Sequence, residues 1–356
     1  MLDTNACFGK GMGVSEFVAR KDLMNTSNLI IGLVALSFLP GPARAAEKEK
    51  VHVSIVRKEA EGPRIMVGGG LASRLEKLGC EIKSLDIAAL TPEEQRGYGP
   101  WKMEALESSH IGTLVAKNSV GDDLIIGLLG GCGDTLGMLA GMQHLQPAVG
   151  PSSPDPRGLQ RKGLVGLKPL RVGLIYFDAH ADFNTPETSN SGLYGGMDVA
   201  TAAGLCLARL RIMSGLDPAL PTRYIVLGGL RDVDPLEQEL LDRSLCAYLT
   251  VEDIRTCSNT IDLQMKRLSQ LTDVIYVHVD MDVLDPREVG GHRLTVPDGP
   301  TSVELASAIR KIFGNPKAQA IGIASMPYGD KDKEGLSLQA AYRLIEGAVY
   351  GLLDRR

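Results

Sequence analysis

Apolar runs that stop abruptly at charged or glycine-rich turns recur along this chain and alternate with stretches of helical periodicity. Residues 51–56, 81–87, 123–129, 224–230, 246–249 and 318–324 read as strands, as do the runs inside RVGLIYFDAHAD (171–182) and DVIYVHVDMDVLD (273–285). The runs within 123–129, 171–177 and 273–279 have the nearly unbroken apolar character of strands covered on both faces. Between them, 70–78, 103–117, 135–145, 197–210, 236–241, 258–271, 302–313 and 336–353 carry apolar residues at spacings of three and four, which predicts helices. Regular alternation of strand and helix predicts a single doubly wound parallel sheet. The long Pro-, Gly- and Ser-rich stretch 147–168 reads as a loop that lines a site or forms an insertion.

Two strand ends concentrate polar chemistry. After the run 172–177 come Asp178, His180 and Asp182, and after the run 274–279 come Asp280 and Asp282, with Asp285-Pro286 beyond them. Alternate residues of an extended segment point the same way, so each group shares a face at the carboxyl end of its strand. That rim is where open α/β sheets bind ligands. Either motif alone is also compatible with a polar turn. Together, four carboxylates and one imidazole can supply oxygen and nitrogen ligands to two divalent cations, which would also offset their mutual repulsion.

Composition narrows the partners. Charged residues make up 23% of the 356, the net charge is −5 and aromatics are 4%, so neither a basic patch nor a base-stacking platform for nucleic acid is expected. Arg20-Lys21, the apolar run 29–39 and Ala43-Arg44-Ala45 have the layout of a secretory signal peptide over residues 1–45, close to a twin-arginine signal. The expectation is a periplasmic or secreted domain over 46–356 with no stable membrane span once the signal is removed. An uncleaved anchor is the alternative. Five cysteines remain beyond the leader, Cys80, Cys132, Cys206, Cys246 and Cys257, an odd and irregular set that does not read as a disulfide framework. Cys206 is expected in the core of the helix 197–210.

With DAHAD at 178–182, GLRDVDP at 229–235 and DMDVLDP at 280–286, the chain resembles the ureohydrolase family, to which arginase and agmatinase belong. The resemblance runs from about Val51 to the C-terminus. It implies the three-layer α/β/α arginase fold, with a parallel sheet of about eight strands, and a pair of manganese ions bridged by a hydroxide. Asp178, His180, Asp182, Asp280 and Asp282 match five of the six metal ligands. The sixth is a His in a Gly-Gly-Asp-His stretch. Here the stretch is Gly130-Gly131-Cys132-Gly133-Asp134, and aligning the following helix places Cys132 at the ligand position, whereas aligning the glycines places Gly133 there. A buried, inert Cys132 is the third possibility. By the same match Asn184, Ser191 and Asp234 hold the amino-acid end of a substrate and Asp182 is the proton relay.

Two further positions depart from the family. Gly195 stands where a proton-shuttling His is expected, and Ser325 where a guanidinium-pairing Glu is expected. Tyr194, His292, Tyr328 and Asp330 are candidates to replace the lost functions, and His278 to back the ligands. His52, His110 and His144 read as structural. The expected activity is metal-dependent hydrolysis of a C–N bond in a guanidino, amidino or linear amide compound by a homo-oligomer, with free arginine a poor substrate. The alternative is a secreted, non-catalytic metal-binding relative.

Overall fold

The computed structural model describes residues 50–96, 99–121, 124–146 and 168–356; the expected signal peptide at 1–45 and most of the 147–168 loop lie outside the described residues. The first half runs β1 (Val51–Lys58), α1 (Glu61–Gly68), α2 (Leu71–Lys77), β2 (Cys80–Ala88), α3 (Pro100–Val115), β3 (Leu124–Leu128), α4 (Thr135–Gln143) and β4 (Val172–Phe177). There follow α5 (Asp198–Ala202), α6 (Ala208–Met213), β5 (Ile225–Gly228), α7 (Pro235–Asp242), β6 (Ala247–Leu249), α8 (Val251–Arg255) and α9 (Asn259–Leu271). The chain ends with β7 (Val274–Asp280), α10 (Ser302–Phe313), β8 (Ala318–Ala324) and α11 (Leu336–Asp354).

All eight strands are parallel and form one sheet in the order β2-β1-β3-β8-β7-β4-β5-β6. Successive residues of the central strands enter different cores, because side chains alternate across a pleated strand. Ile175 and Phe177 join α1, α2 and α8–α11 on one face, while Leu174 and Tyr176 join α3–α7 on the other. The result is the expected three-layer α/β/α arrangement.

The expected helix 197–210 is two short helices instead. Gly204, at φ +79°, and Leu207, at φ 44°, reverse the chain between α5 and α6. Cys206 therefore lies in that turn, half-buried with its Sγ 3.4 Å from the Thr201 hydroxyl, and not in the core. The five cysteines beyond the leader are all free. No helix among the described residues is long and apolar enough to cross a membrane.

Candidate active site

The carboxyl ends of β3, β8, β7 and β4, four neighbours in the middle of the sheet, open onto one cavity of about 570 Å³. Cys132, Asp178, His180, Asp182, Asn184, Ser191, Gly195, Asp234, Asp280, Asp282, His292 and Ser325 all line it. The strand ends hold their acids with local hydrogen bonds. Asp178 Oδ1 accepts from the backbone N–H of His180 at 2.7 Å, and Asp280 Oδ1 from that of Asp282 at 2.9 Å. The Ala179 N–H donates to Asp282 across the two strands at 3.2 Å. His180 Nδ1 lies 3.2 Å from both Asp178 Oδ1 and Asp282 Oδ2. Asp182 adopts a left-handed backbone, φ 48°, and Tyr176 donates its hydroxyl to Asp182 Oδ2 at 2.5 Å. A non-glycine residue held there stores about 1–3 kcal/mol, which the surrounding structure must offset.

On the β3 side, Asp134 orders the loop. Its Oδ2 accepts from the Gly130 N–H at 2.7 Å, and its Oδ1 pairs with Lys58 at 3.0 Å. That brings Cys132 Sγ to 2.7 Å from Asp280 Oδ2, and to 3.9 Å from both Asp178 Oδ2 and the Ser325 hydroxyl. Gly133 packs against other side chains: a Cβ there would stand 2.4 Å from Glu104 Oε1 and 2.8 Å from the Tyr194 ring, so a larger side chain would have to displace them.

The electrostatics are those of crowded anions. Burial, then the charges of Asp282, Asp182 and Asp280, push the Asp178 carboxyl well above the usual range. Burial raises Asp182 to about 8 against the opposing Tyr176 hydrogen bond, and Asp280 to about 6. Burial would lower His180, but the hydrogen bond and charge of Asp282, with Asp182 and Asp280, carry it to about 9. Burial and the same carboxylates push the Cys132 thiol up. A site that must protonate several buried acids to relieve repulsion is one that a divalent cation fits. The donor atoms agree, since Asp178, His180 and Asp282 form one group within 4.8 Å, and Cys132, Asp178 and Asp280 another.

The amino-acid end is also assembled. Asp234 caps α7, and its two oxygens accept from Asn184 Nδ2 at 3.1 Å and Asn190 Nδ2 at 2.8 Å. Glu237, three residues on, accepts the Phe183 N–H at 2.7 Å, tying the β4 loop to α7. Ser191 lies on the exposed side of the cavity. Among the replacement candidates, His292 faces both Asp280 and Asp282 at 3.8 and 3.7 Å. Tyr194 packs against Trp101, and Tyr328 lines the open side. Asp330 is exposed and does not line the cavity.

His278 hydrogen-bonds Thr135 and Tyr276 through Nδ1, at 2.8 and 2.9 Å, and has no hydrogen bond to a site carboxylate. It backs the site indirectly, by stacking on Tyr176 at 4.6 Å, and burial lowers it to about 3. Sequence reasoning passed over Tyr176, Asn190, Glu104, Glu237 and Asp198. The available signal for Asp198 was a lone charged residue in the segment 197–203, MDVATAA.

Comparison with known proteins agrees with this geometry. An arginase from Entamoeba histolytica is 29% identical over 246 residues, covering 67% of this chain and 75% of that protein. An N(omega)-hydroxy-L-arginine amidinohydrolase from Streptomyces lavendulae is 33% identical over 152 residues, 42% of this chain and 49% of that one. The crystal structure of an arginase from Bacillus cereus superposes with a TM-score of 0.67 at 20% identity, covering 84% of this chain and 98% of that chain. The pattern of the Arginase family matches residues 153–342, more than half of the 356. The strand order, the two aspartate-rich strand ends and that match lead to one assignment: the chain belongs to the arginase family.

Proposed function

We propose that the protein is a metal-dependent hydrolase that cleaves a non-peptide C–N bond in a guanidino, amidino or linear amide compound. The observation that carries this reading is the meeting of Cys132, Asp178, His180, Asp182, Asp280 and Asp282, from the ends of β3, β4 and β7, beneath an open cavity. When bound, a pair of divalent cations, Mn2+ by family analogy, supplies activation of water near neutral pH and polarisation of the carbon attacked. Asp178, Asp280 and Asp282 would hold the pair from β4 and β7, His180 one member of it, and Cys132 the other. Asp182, fixed by Tyr176, is placed to accept and return a proton. Asn184, Ser191 and Asp234 would orient a substrate carrying an amino or carboxylate group. Asp234 is charged and already linked to Asn184, which suits an ammonium at that end.

The head group is read from what the cavity lacks. Ser325, at the end of β8, supplies no charge for a guanidinium, and a buried cation without its carboxylate loses about 3–5 kcal/mol. An N-substituted guanidine, an amidine or an amide is less basic and avoids that loss. The hydroxyarginine hydrolase among the relatives acts on one such head group. The leader at 1–45 extends the proposal to an exported enzyme.

The test is metal analysis of the purified protein, then assay of urea or ammonia release across arginine, hydroxyarginine, amidine and amide panels. Turnover of a less basic compound that exceeds arginine turnover, and is lost with Asp280→Ala together with bound metal, is the expected result. Metal content unchanged by Asp280→Ala would sink the binuclear reading. The positions Gly195 and Ser325 favour a second reading, a metal-binding relative without catalysis, and metal uptake with no hydrolysis across the panel would select it.

A further inference from the structure

Asp198 is a buried acid that the proposed reaction does not use. It opens α5 and is completely buried. Neither of its oxygens has a hydrogen-bond partner. The Tyr194 hydroxyl lies beside it without reaching hydrogen-bond geometry and is itself unpartnered. Lys58, the buried ammonium of this region, is committed to Asp134 and Glu107 at 3.0 and 2.8 Å. A buried carboxylate with no donor and no cation costs several kcal/mol unless it takes up a proton or meets a metal ion.

Its surroundings favour the ion. One Asp198 oxygen, the Cys132 Sγ and one Asp182 oxygen lie within 4.8 Å of one another. Donors about 2.0–2.3 Å from a common cation are separated by at most ~4.6 Å, so the three need close only slightly around one. Asp182 has an oxygen to spare, since Tyr176 occupies only Oδ2. Cys132 also belongs to the group with Asp178 and Asp280, so its thiolate stands where the two sets of donors meet.

We propose that Asp198 is a metal ligand, holding with Cys132 and Asp182 the ion on the β3 side, and that this ion is a borderline cation of the zinc or cobalt class. The proposal rests on the binuclear reading above. Its chemistry is direct. Thiolate favours borderline ions over manganese, and the carboxylate adds a further oxygen donor and a negative charge at this corner. The other group, Asp178, His180 and Asp282, has no sulfur, so the two positions would differ in which ion they prefer.

The experiment titrates metal-stripped wild type and the variants Asp198→Asn, Cys132→Ser and Asp282→Asn with Co2+ and with Mn2+. Bound metal per chain, the near-ultraviolet sulfur-to-cobalt band and thermal unfolding are followed. Wild type should bind two Co2+, one of them producing the band. Cys132→Ser should abolish the band. Asp198→Asn should weaken the band-producing ion at least tenfold, leave the other in place, and give an apoprotein as stable as wild type or more so. Asp282→Asn should weaken the other ion. Asp198→Glu, which keeps the charge, should retain the band and covers the case in which the asparagine variant folds poorly. An unchanged band and affinity in Asp198→Asn would overturn this inference and leave the binuclear reading standing. Wild type that takes up no ion would overturn both.

Discussion

Gly195 lines the cavity, has an ordinary backbone, and has nothing within 4 Å of the point where a Cβ would stand. A histidine can therefore be introduced there without displacing a neighbour. Ser325 is less relaxed, with φ 59° in the left-handed region, but it too faces the cavity and lies 3.9 Å from Cys132 Sγ. If these two positions account for weak use of a guanidinium, Ser325→Glu with Gly195→His should raise kcat/KM for arginine. The upper bound is about a hundred- to a few thousand-fold, set by the ~3–5 kcal/mol of an unpaired buried charge. Steady-state kinetics on arginine and on the best neutral analogue provide the check. A double variant that folds, binds metal and gains nothing on arginine would show that neither position limits that substrate.

Helix α4 carries the Cys132 turn on its N-terminal end, so its seat against α3 sets where the thiol stands. That seat is made by glycine. A Cβ at Gly137 would lie 2.4 Å from the Ser108 carbonyl oxygen, and one at Gly141 2.4 Å from Val115 Cβ. Gly137→Ala should therefore push the helices apart, cost about 1–3 kcal/mol, and weaken metal binding with no ligand removed. Denaturant unfolding with a cobalt titration of the same variant measures both effects, and wild-type values in either would refute the coupling. The elements themselves were mostly legible in the sequence. Strands covered on both faces have to be continuous apolar runs, and 318–324 was read to the residue. The α5–α6 break was not, because apolar spacing carries on through Gly204 and Leu207 while the backbone turns there. Helix α1, eight residues beginning Glu-Gly-Pro, is too short for periodicity to reveal. Likewise the aspartate pairs were legible by their spacing, whereas Asp198 is a single acid in its short helix, and only tertiary packing brings Glu104 to Gly133.

For the molecule as a whole, the site is an electrostatic load. Asp280 and Asp182 are raised to about 6 and about 8, above the ordinary carboxylate value near ~3.9, so the folded state favours their protonated forms. Groups raised in this way contribute stability that is complete below the unfolded pKa and is lost as pH rises through the folded one. His180, raised to about 9, acts in the same direction. The metal-free protein should thus lose thermal stability between about pH 4 and about pH 9, and the stabilisation by added divalent ion should grow over the same range as protons leave the ligands. Thermal scans with and without ion test this, and a flat metal-free profile would contradict it.

The strand order also governs when such a load can arise. β8 is the last strand in the chain, yet it lies between β3 and β7. Until it docks, β2-β1-β3 with Cys132 and β7-β4-β5-β6 with the aspartates and His180 share no backbone pairing. A chain emerging from the ribosome can present the aspartates and His180 once residue 282 is out, but the strand that joins the two halves of the sheet is complete only after Ala324 has followed. Closing contacts this distant in sequence is a late and slow event. Ion capture by the complete set of donors is therefore expected late in folding.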